Sequence, residues 1–312
     1  MELSIFTEPQ QGATYSELLA VARAAEDGGF RGFLRSDHYL KMGDVSGLPG
    51  PTHAWVTLAG LARDTSTIRL GTLVSPATFY HPASLAISVA QVDEMSGGRV
   101  DFGFGSGWYE EEHRAYGFPF GSLRERFDRM EEYLEQITGL WSTPDGATYS
   151  HDGTFHAFTD SPALPKPTQR PGPPIIIGGR GKVRTPRMVA SHAAEFNLPF
   201  IAADDIPACV GRVDAACEAI GRNPDEIVTT AALVLCLGED EAEIGRRAES
   251  IGREVDELRL NGAAGTVDEV ATKLATYAEA GCERIHLQIL DLADLDQVAL
   301  AGEQLIPAVA GL

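Results

Sequence analysis

Apolar residues along this chain fall into two alternating patterns: short unbroken runs, and longer stretches where they recur every three or four positions. Short runs suit strands buried on both faces; the wider spacing suits helices with one face on a core. The first strand is predicted over 3–7, then a helix over 15–28 that stops at Gly28-Gly29. Strand two covers 32–36, helix two Ala54–Asp64, strand three 68–74, and helix three 82–95, with Pro82 suited to a first turn. Strand four is 100–104, and a long charged helix follows over 123–140. Strand five is 175–177, with a helix over 185–192 and strand six over 195–198. A helix over 205–221, with Asp204 and Asp205 as cap candidates, leads to strand seven over 226–237. Thr266 and Glu269 have capping-box spacing at the start of a helix over 266–281. Strand eight is 284–290 and the last helix 295–309.

Eight strands alternating with helices point to a parallel sheet covered on both faces. The first strand–helix turn, Glu8-Pro9-Gln10-Gln11-Gly12, lacks the glycine pattern of a dinucleotide-binding sheet. That favours an α/β closed (β/α)8 TIM barrel, one domain over 1–312, above an open doubly wound sheet. Two rim insertions break the alternation. A hairpin over 149–156, with an Asp152-Gly153 turn, precedes strand five, and a charged helical insert over 239–265 precedes strand eight. Insertions at that rim commonly wall a pocket.

With 312 residues, 44% of them hydrophobic, the chain can bury a large core. No apolar run approaches the ~20 residues of a bilayer span. The start, Met1-Glu2-Leu3-Ser4, lacks the basic beginning of a secretion signal, so a cytoplasmic protein without a membrane partner is expected. A net charge of −20 with no basic stripe argues against nucleic acid. Cys209, Cys217, Cys236 and Cys282 have no CxxC spacing and read as buried thiols in a reducing compartment.

Three strand endings carry chemistry, which is how a barrel assembles a site at its C-terminal mouth. Strand two ends in Ser36-Asp37-His38, and a histidine there can hydrogen-bond a bound ring or exchange a proton. Strand three runs through Leu73-Val74 into Ser75-Pro76, an edge that can face a planar ligand. Strand four runs into Gly105-Ser106-Gly107-Trp108, where missing side chains admit a ring and Trp108 offers an aromatic wall. After strand five, Gly178-Gly179-Arg180-Gly181 and Thr185 can turn N–H groups and a hydroxyl onto an anion at a helix N-terminus, with Arg180 and Arg184 adding charge. The run Glu110-Glu111-Glu112-His113 lacks metal-ligand spacing and reads as an acidic helix start.

Together with Tyr80-His81-Pro82-Ala83, Gly97-Gly98-Arg99 and Ala194-Glu195-Phe196-Asn197, these motifs resemble the bacterial luciferase-like monooxygenase superfamily. More narrowly, the chain is similar to the branch of oxidoreductases that use the deazaflavin coenzyme F420. The resemblance covers almost the full length. It implies a ring lying across the barrel mouth beside Asp37 and His38. The Leu73-Val74 bond would be a non-prolyl cis bulge behind that ring. Gly105, Ser106, Gly107 and Trp108 would flank the ring, Gly178, Gly179, Arg180, Gly181 and Thr185 would hold the phosphate, and Asn197 would line the pocket. Trp108 stands where the sugar-phosphate dehydrogenases of that branch carry a glutamate proton donor, which argues against sugar phosphates. Ala194 replaces the usual aspartate of strand six, removing a polar contact.

The resemblance implies hydride transfer between F420 and a small-molecule substrate, with His38 as the catalytic candidate. The alternative is an FMN-dependent monooxygenase on the same barrel, and a further one, of another class, a non-catalytic flavin-binding or structural barrel, favoured if Trp108 or the hairpin over 149–158 blocks the pocket. A homodimer through helices two and three, and a separate cofactor reductase, are expected partners. The alanine-rich faces of those helices suit a dimer or packing on the barrel equally.

Overall fold

A computed structural model of the chain describes all 312 residues. Eight parallel strands form the barrel: β1 Glu2–Thr7, β2 Gly32–Arg35, β3 Arg69–Thr72, β4 Val100–Gly105, β5 Ile175–Gly178, β6 Glu195–Pro199, β7 Val228–Leu237 and β8 Arg284–Ile289. Each pairs with the next, and β8 pairs with β1, so the sheet closes with no free edge. The helices are α1 Tyr15–Asp27, α2 Ala54–Asp64, α3 Pro82–Ser96, α4 Glu110–Tyr116, α5 Leu123–Ser142, α6 Arg184–His192, α7 Ile206–Ile220, α8 Glu241–Ser250, α9 Val255–Asn261 and α10 Val267–Glu279. The last, α11 Leu295–Leu300, continues through a π turn at Ala301–Leu305 into Ile306–Val309.

The capping box of Thr266 and Glu269 forms as expected, and Thr14 with Glu17 makes another on α1. Asp205 caps nothing with its side chain, because Ala203–Asp205 is a 3-10 turn running straight into α7. The rim hairpin pairs Tyr149–Asp152 with Ala157–Ser161. Its connection is longer than the expected Asp-Gly turn, because the Glu132 carboxylate of α5 accepts the N–H groups of Thr154, Phe155 and His156 and draws them into a loop. The second insert is α8, α9 and a short strand, Ala263–Gly265, that pairs with β7. Ala54, Ala62, Ala86 and Ala90 are buried against the barrel, whereas Val56 and Ile87 are exposed on the outer face of α2 and α3. All four cysteines are buried and free.

Inside the barrel the N-terminal end is charged. Asp101 of β4 takes Arg69 at 2.6 Å and Arg31 at 2.8 Å; Arg31 also meets Glu2, which binds Arg284 at 2.6 Å. Arg284 then reaches Glu195, which His286 contacts at 2.6 Å. This is a belt of alternating signs, needed because buried charges are tolerated only when paired. Thr230 donates to Glu195 at 2.9 Å. Burial alone would raise the Glu195 carboxyl, but His286, Arg284 and Thr230 hold it down at about 2. Above the belt, Phe6, Leu34 and Ile176 form an apolar layer with Leu73 packed on it.

Strand three is interrupted. β3 stops at Thr72, the Leu73–Val74 peptide is cis, and Ser75–Pro76 resumes pairing with β4. The bulge presses onto a column of glycines. A Cβ on Gly103 would lie 1.9 Å from the Thr72 carbonyl oxygen, and one on Gly105 would lie 2.7 Å from Val74. The strand-four glycines therefore serve β3–β4 packing before they serve any ligand.

Gly103→Ala should cost about 1–3 kcal/mol or more through overpacking, whereas Gly245→Ala, in a helix with open space around it, should gain about 0.5–1 kcal/mol. Urea unfolding midpoints separate the two. A carboxyl whose pKa falls on folding contributes stability above its unfolded value and loses it as pH drops towards the folded value. For Glu195, lowered from 4.5 to about 2, that contribution is on the order of 3 kcal/mol, lost between about pH 4.5 and 2. Glu195→Gln should be less stable than the parent at neutral pH and show a flatter acid limb in the same assay.

Candidate active site

The strand ends converge on a cavity of about 390 Å³ at the C-terminal mouth, a size typical of small-molecule sites. The sequence-predicted site residues other than Asp37 and Arg184 line it: His38, Leu73, Val74, Gly105, Ser106, Gly107, Trp108, Gly178, Gly179, Arg180, Gly181, Thr185 and Asn197. Its floor is Phe6 of the apolar layer.

Asp37 faces the other way, because alternate residues of an extended strand point to opposite sides. Its carboxylate is fully buried behind the wall, accepting from Ser75 at 2.6 Å and Tyr80 at 2.7 Å. Ser75 in turn accepts from the Trp55 indole at 3.1 Å. Asp37 thus ties the end of β2 to the residue following the bulge and does not sit beside a ligand. Burial, with Asp37 next in importance, pushes the Tyr80 phenol well above its ordinary range, so it stays a donor. Next to this pair, Arg35 is buried but satisfied by Ser36, Thr52 and Thr57, and burial lowers it to about 10.

His38 presents Nδ1 to the Glu112 carboxylate at 3.0 Å. Glu112 also accepts the Tyr39 and Leu40 N–H groups at 2.5 and 3.1 Å. A carboxylate facing Nδ1 places a proton there and leaves Nε2 as the exchangeable nitrogen. Glu112 and His113 both line the cavity, so the acidic helix start contributes to the site, which its sequence pattern did not signal. His113 faces the Tyr109 carbonyl through Nδ1 and Thr78 through Nε2, both at 2.7 Å. Glu8, beyond the end of β1, lines the same cavity; burial raises its carboxyl, with His38 opposing. Trp108 stacks on Tyr109, meets His38 edge-on at 5.8 Å, and is 64% exposed at the rim.

Opposite His38 lies the glycine cradle. Gly179 has φ +125°, open only to glycine. The N-terminus of α6 has no side-chain cap, and Thr185 in its first turn is buried with a hydroxyl that bonds nothing in the chain. Free helix N–H groups, an unsatisfied hydroxyl and the unpaired Arg180 fit a phosphate. Arg184 does not join them: Glu131 and Asp128 of α5 hold its guanidinium at 2.6 and 2.7 Å. Past the cradle the cavity continues into an open cleft of about 580 Å³, lined among others by Arg124, Phe127, Lys182 and Thr185.

Asn197 is oriented from below. Its amide donates to Thr230 at 3.0 Å, and Thr230 donates onward to Glu195. Its Oδ1 is therefore the atom left for the cavity. The loss of a strand-six aspartate at Ala194 leaves this chain of bonds whole, because Glu195 supplies it.

Comparison with known proteins agrees with this architecture. The model of the luciferase-like monooxygenase family matches residues 1–263. The F420-dependent hydroxymycolic acid dehydrogenase of Mycobacterium tuberculosis is 34% identical over 72% of this chain and 60% of its own length. The oxygenase component of the flavin-dependent trigonelline monooxygenase of Acinetobacter baylyi is 28% identical over 67% of this chain and 55% of its own. An F420-dependent secondary alcohol dehydrogenase, solved with an F420–acetone adduct, superposes with a TM-score of 0.84 at 17% identity, over 99% of this chain and 98% of that one. The barrel is thus shared across the whole chain and the family match spans most of it: the chain belongs to the luciferase-like monooxygenase family.

Proposed function

We propose that this protein moves hydride between the deazaflavin coenzyme F420 and a small organic substrate. Relatives of both the F420 and flavin classes are similar to the chain, and the site favours the first. The observation that carries it is the cleft beyond the glycine cradle. FMN ends at its phosphate, whereas F420 continues past it in a carboxylate-bearing tail. Lys182 makes no ion pair, and Arg124 is 88% exposed with only a 3.7 Å contact to Asp128. In a chain of net charge −20, two such cations beside a phosphate cradle fit that tail.

When bound, the coenzyme supplies two-electron hydride chemistry at its ring. The protein supplies position. Leu73 and Val74 would back the ring, Gly105, Ser106, Gly107 and Trp108 would flank it, and Asn197 would offer Oδ1 to a ring or chain donor. Gly178, Gly179, Arg180, Gly181 and Thr185 hold the phosphate. With Trp108 in the place of a glutamate, His38 moves the proton at Nε2, and Glu112 fixes the imidazole through Nδ1.

Titration of the protein with oxidised F420 and with FMN, followed by fluorescence quenching, tests the coenzyme. F420 should bind at least about tenfold tighter, a difference of ~1.4 kcal/mol; the reverse order would move the reading to oxygen-activating flavin chemistry. Arg124→Glu with Lys182→Glu should weaken F420 by about tenfold or more through lost charge-assisted contacts, and leave FMN within about twofold. His38→Gln should lower kcat by about 10²–10⁴-fold, far more than it changes coenzyme affinity.

A further inference from the structure

A second and larger groove, of about 1,110 Å³, opens beside the coenzyme cavity on the β1, β7 and β8 side of the mouth. The two share Glu8 and Phe200 as lining residues, so a ligand in the groove abuts whatever fills the cavity. Neither the glycine cradle nor His38 lines it. Its chemistry differs from that of the cavity in two ways.

The first is an unmet hydrogen-bonding group. Gln288, on the inward face of β8, is 4% exposed, lines the groove, and its side-chain amide makes no hydrogen bond within the chain. A buried primary amide without partners costs on the order of 1–3 kcal/mol unless a ligand or solvent meets it. The second is charge. Glu8, Asp44, Glu249 and Asp291 reach the groove from four separate segments, and none of them makes an ion pair. Arg253 is the one cation in the lining, and Glu257 takes its guanidinium at 2.6–2.9 Å. Lys41, on the same loop as Asp44, donates its ammonium to the Gly43 and Val45 carbonyls. Met42, Val45, Ile251 and Leu290 supply apolar surface between the carboxylates.

We infer that this groove is the substrate site and that it selects an organic cation, an apolar body carrying a positively charged nitrogen. The inference rests on reading the adjoining cavity as the coenzyme site. An anionic substrate would meet unpaired carboxylates on every side, and like charges at such range repel. A neutral one would use Gln288 but leave the acids uncompensated. A cationic nitrogen with an N–H satisfies both, donating to the Gln288 amide oxygen while the surrounding acids balance its charge.

The test uses three naphthylmethyl probes of similar shape, bearing a protonated dimethylamino group, hydroxyl or carboxylate, titrated calorimetrically into the F420-loaded protein. The ammonium probe should bind at least about tenfold tighter than the alcohol, with the carboxylate weakest. Asp44→Asn with Asp291→Asn should erase most of that preference. Asp225→Asn with Glu279→Gln, which remove the same charge from exposed positions outside the groove, should leave it within about twofold. Equal or tighter binding of the alcohol or carboxylate, no binding of any probe, or equal losses in both double variants would overturn the inference. The coenzyme titration on the same samples separates the failures. F420 bound without a cation preference defeats only the substrate class, while binding of neither F420 nor FMN defeats the coenzyme reading and this inference with it.

Discussion

Closing this barrel depends on a belt of alternating charges at its N-terminal end. Arg69, Asp101, Arg31, Glu2, Arg284 and Glu195 run in sequence around the interior, each cation next to an anion, and His286 is hydrogen-bonded to Glu195. Asp101, Glu195 and Arg284, the buried members, would each be costly alone, because a buried charge without a partner costs several kcal/mol. Linked, they join β1 to β8 and β8 to β6 across the seam where the two ends of the chain meet. Register is then enforced electrostatically: a slip of one residue turns the belt outward and the apolar outer face inward. The belt also reaches the functional end. Glu195 fixes Thr230, Thr230 fixes the Asn197 amide, and a polar atom in the mouth is oriented by a charge at the base.

With the base locked, the mouth is shaped by the bulge after β3. Glycines at 71, 103 and 105 allow β3 and β4 to approach where side chains would collide with backbone or with Val74. From behind, Asp37 holds Ser75 in place. The bulge is thus clamped from both sides, and Leu73 and Val74 are delivered to the cavity wall with little freedom to move. A wall fixed in this way suits a planar ligand better than a flexible one, since positioning gained from packing need not be paid in ordering entropy.

How much of this was legible depended on range. Strands and helices follow local pattern, so the eight strands, the α2 boundaries and the Thr266–Glu269 box could be read directly. The cradle was legible because its chemistry is contiguous: Gly178 to Gly181, then Thr185. Most of what sequence concealed was a partner far along the chain. Glu112 meets His38 across 74 residues, and an acidic helix start is equally well explained by the helix dipole, so nothing local marked it. Arg184 looked available for an anion until α5 brought Glu131 and Asp128 against it. Asp37 is placed beside the ring only by the family resemblance, whereas strand alternation puts it on the opposite face from His38, as the structure shows. Glu195 showed only as part of a motif; that it is the hinge of the belt required Glu2, Arg284 and His286 to be seen together.

The mouth is also divided by charge, and the division has a physical logic. Arg180, Lys182 and Arg124 border the cradle and its cleft, while Glu8, Asp44, Glu249 and Asp291 border the groove. At physiological ionic strength exposed charges act over about 8 Å, so each patch governs its own side of the opening and little beyond it. On the proposed reading, an anionic coenzyme and a cationic substrate would be drawn to separate subsites, and neither would compete well for the other's place. Within the chain's acidic surface the basic side must be local to work at all, which is why its cations cluster within one cleft and are left without strong partners. The same surface makes the acidic side easy to build: it needs only that cations be kept away or already paired, as Arg253 and Lys41 are. Segregated in this way, the two cavities adjoin at Glu8 and Phe200, the residues common to both.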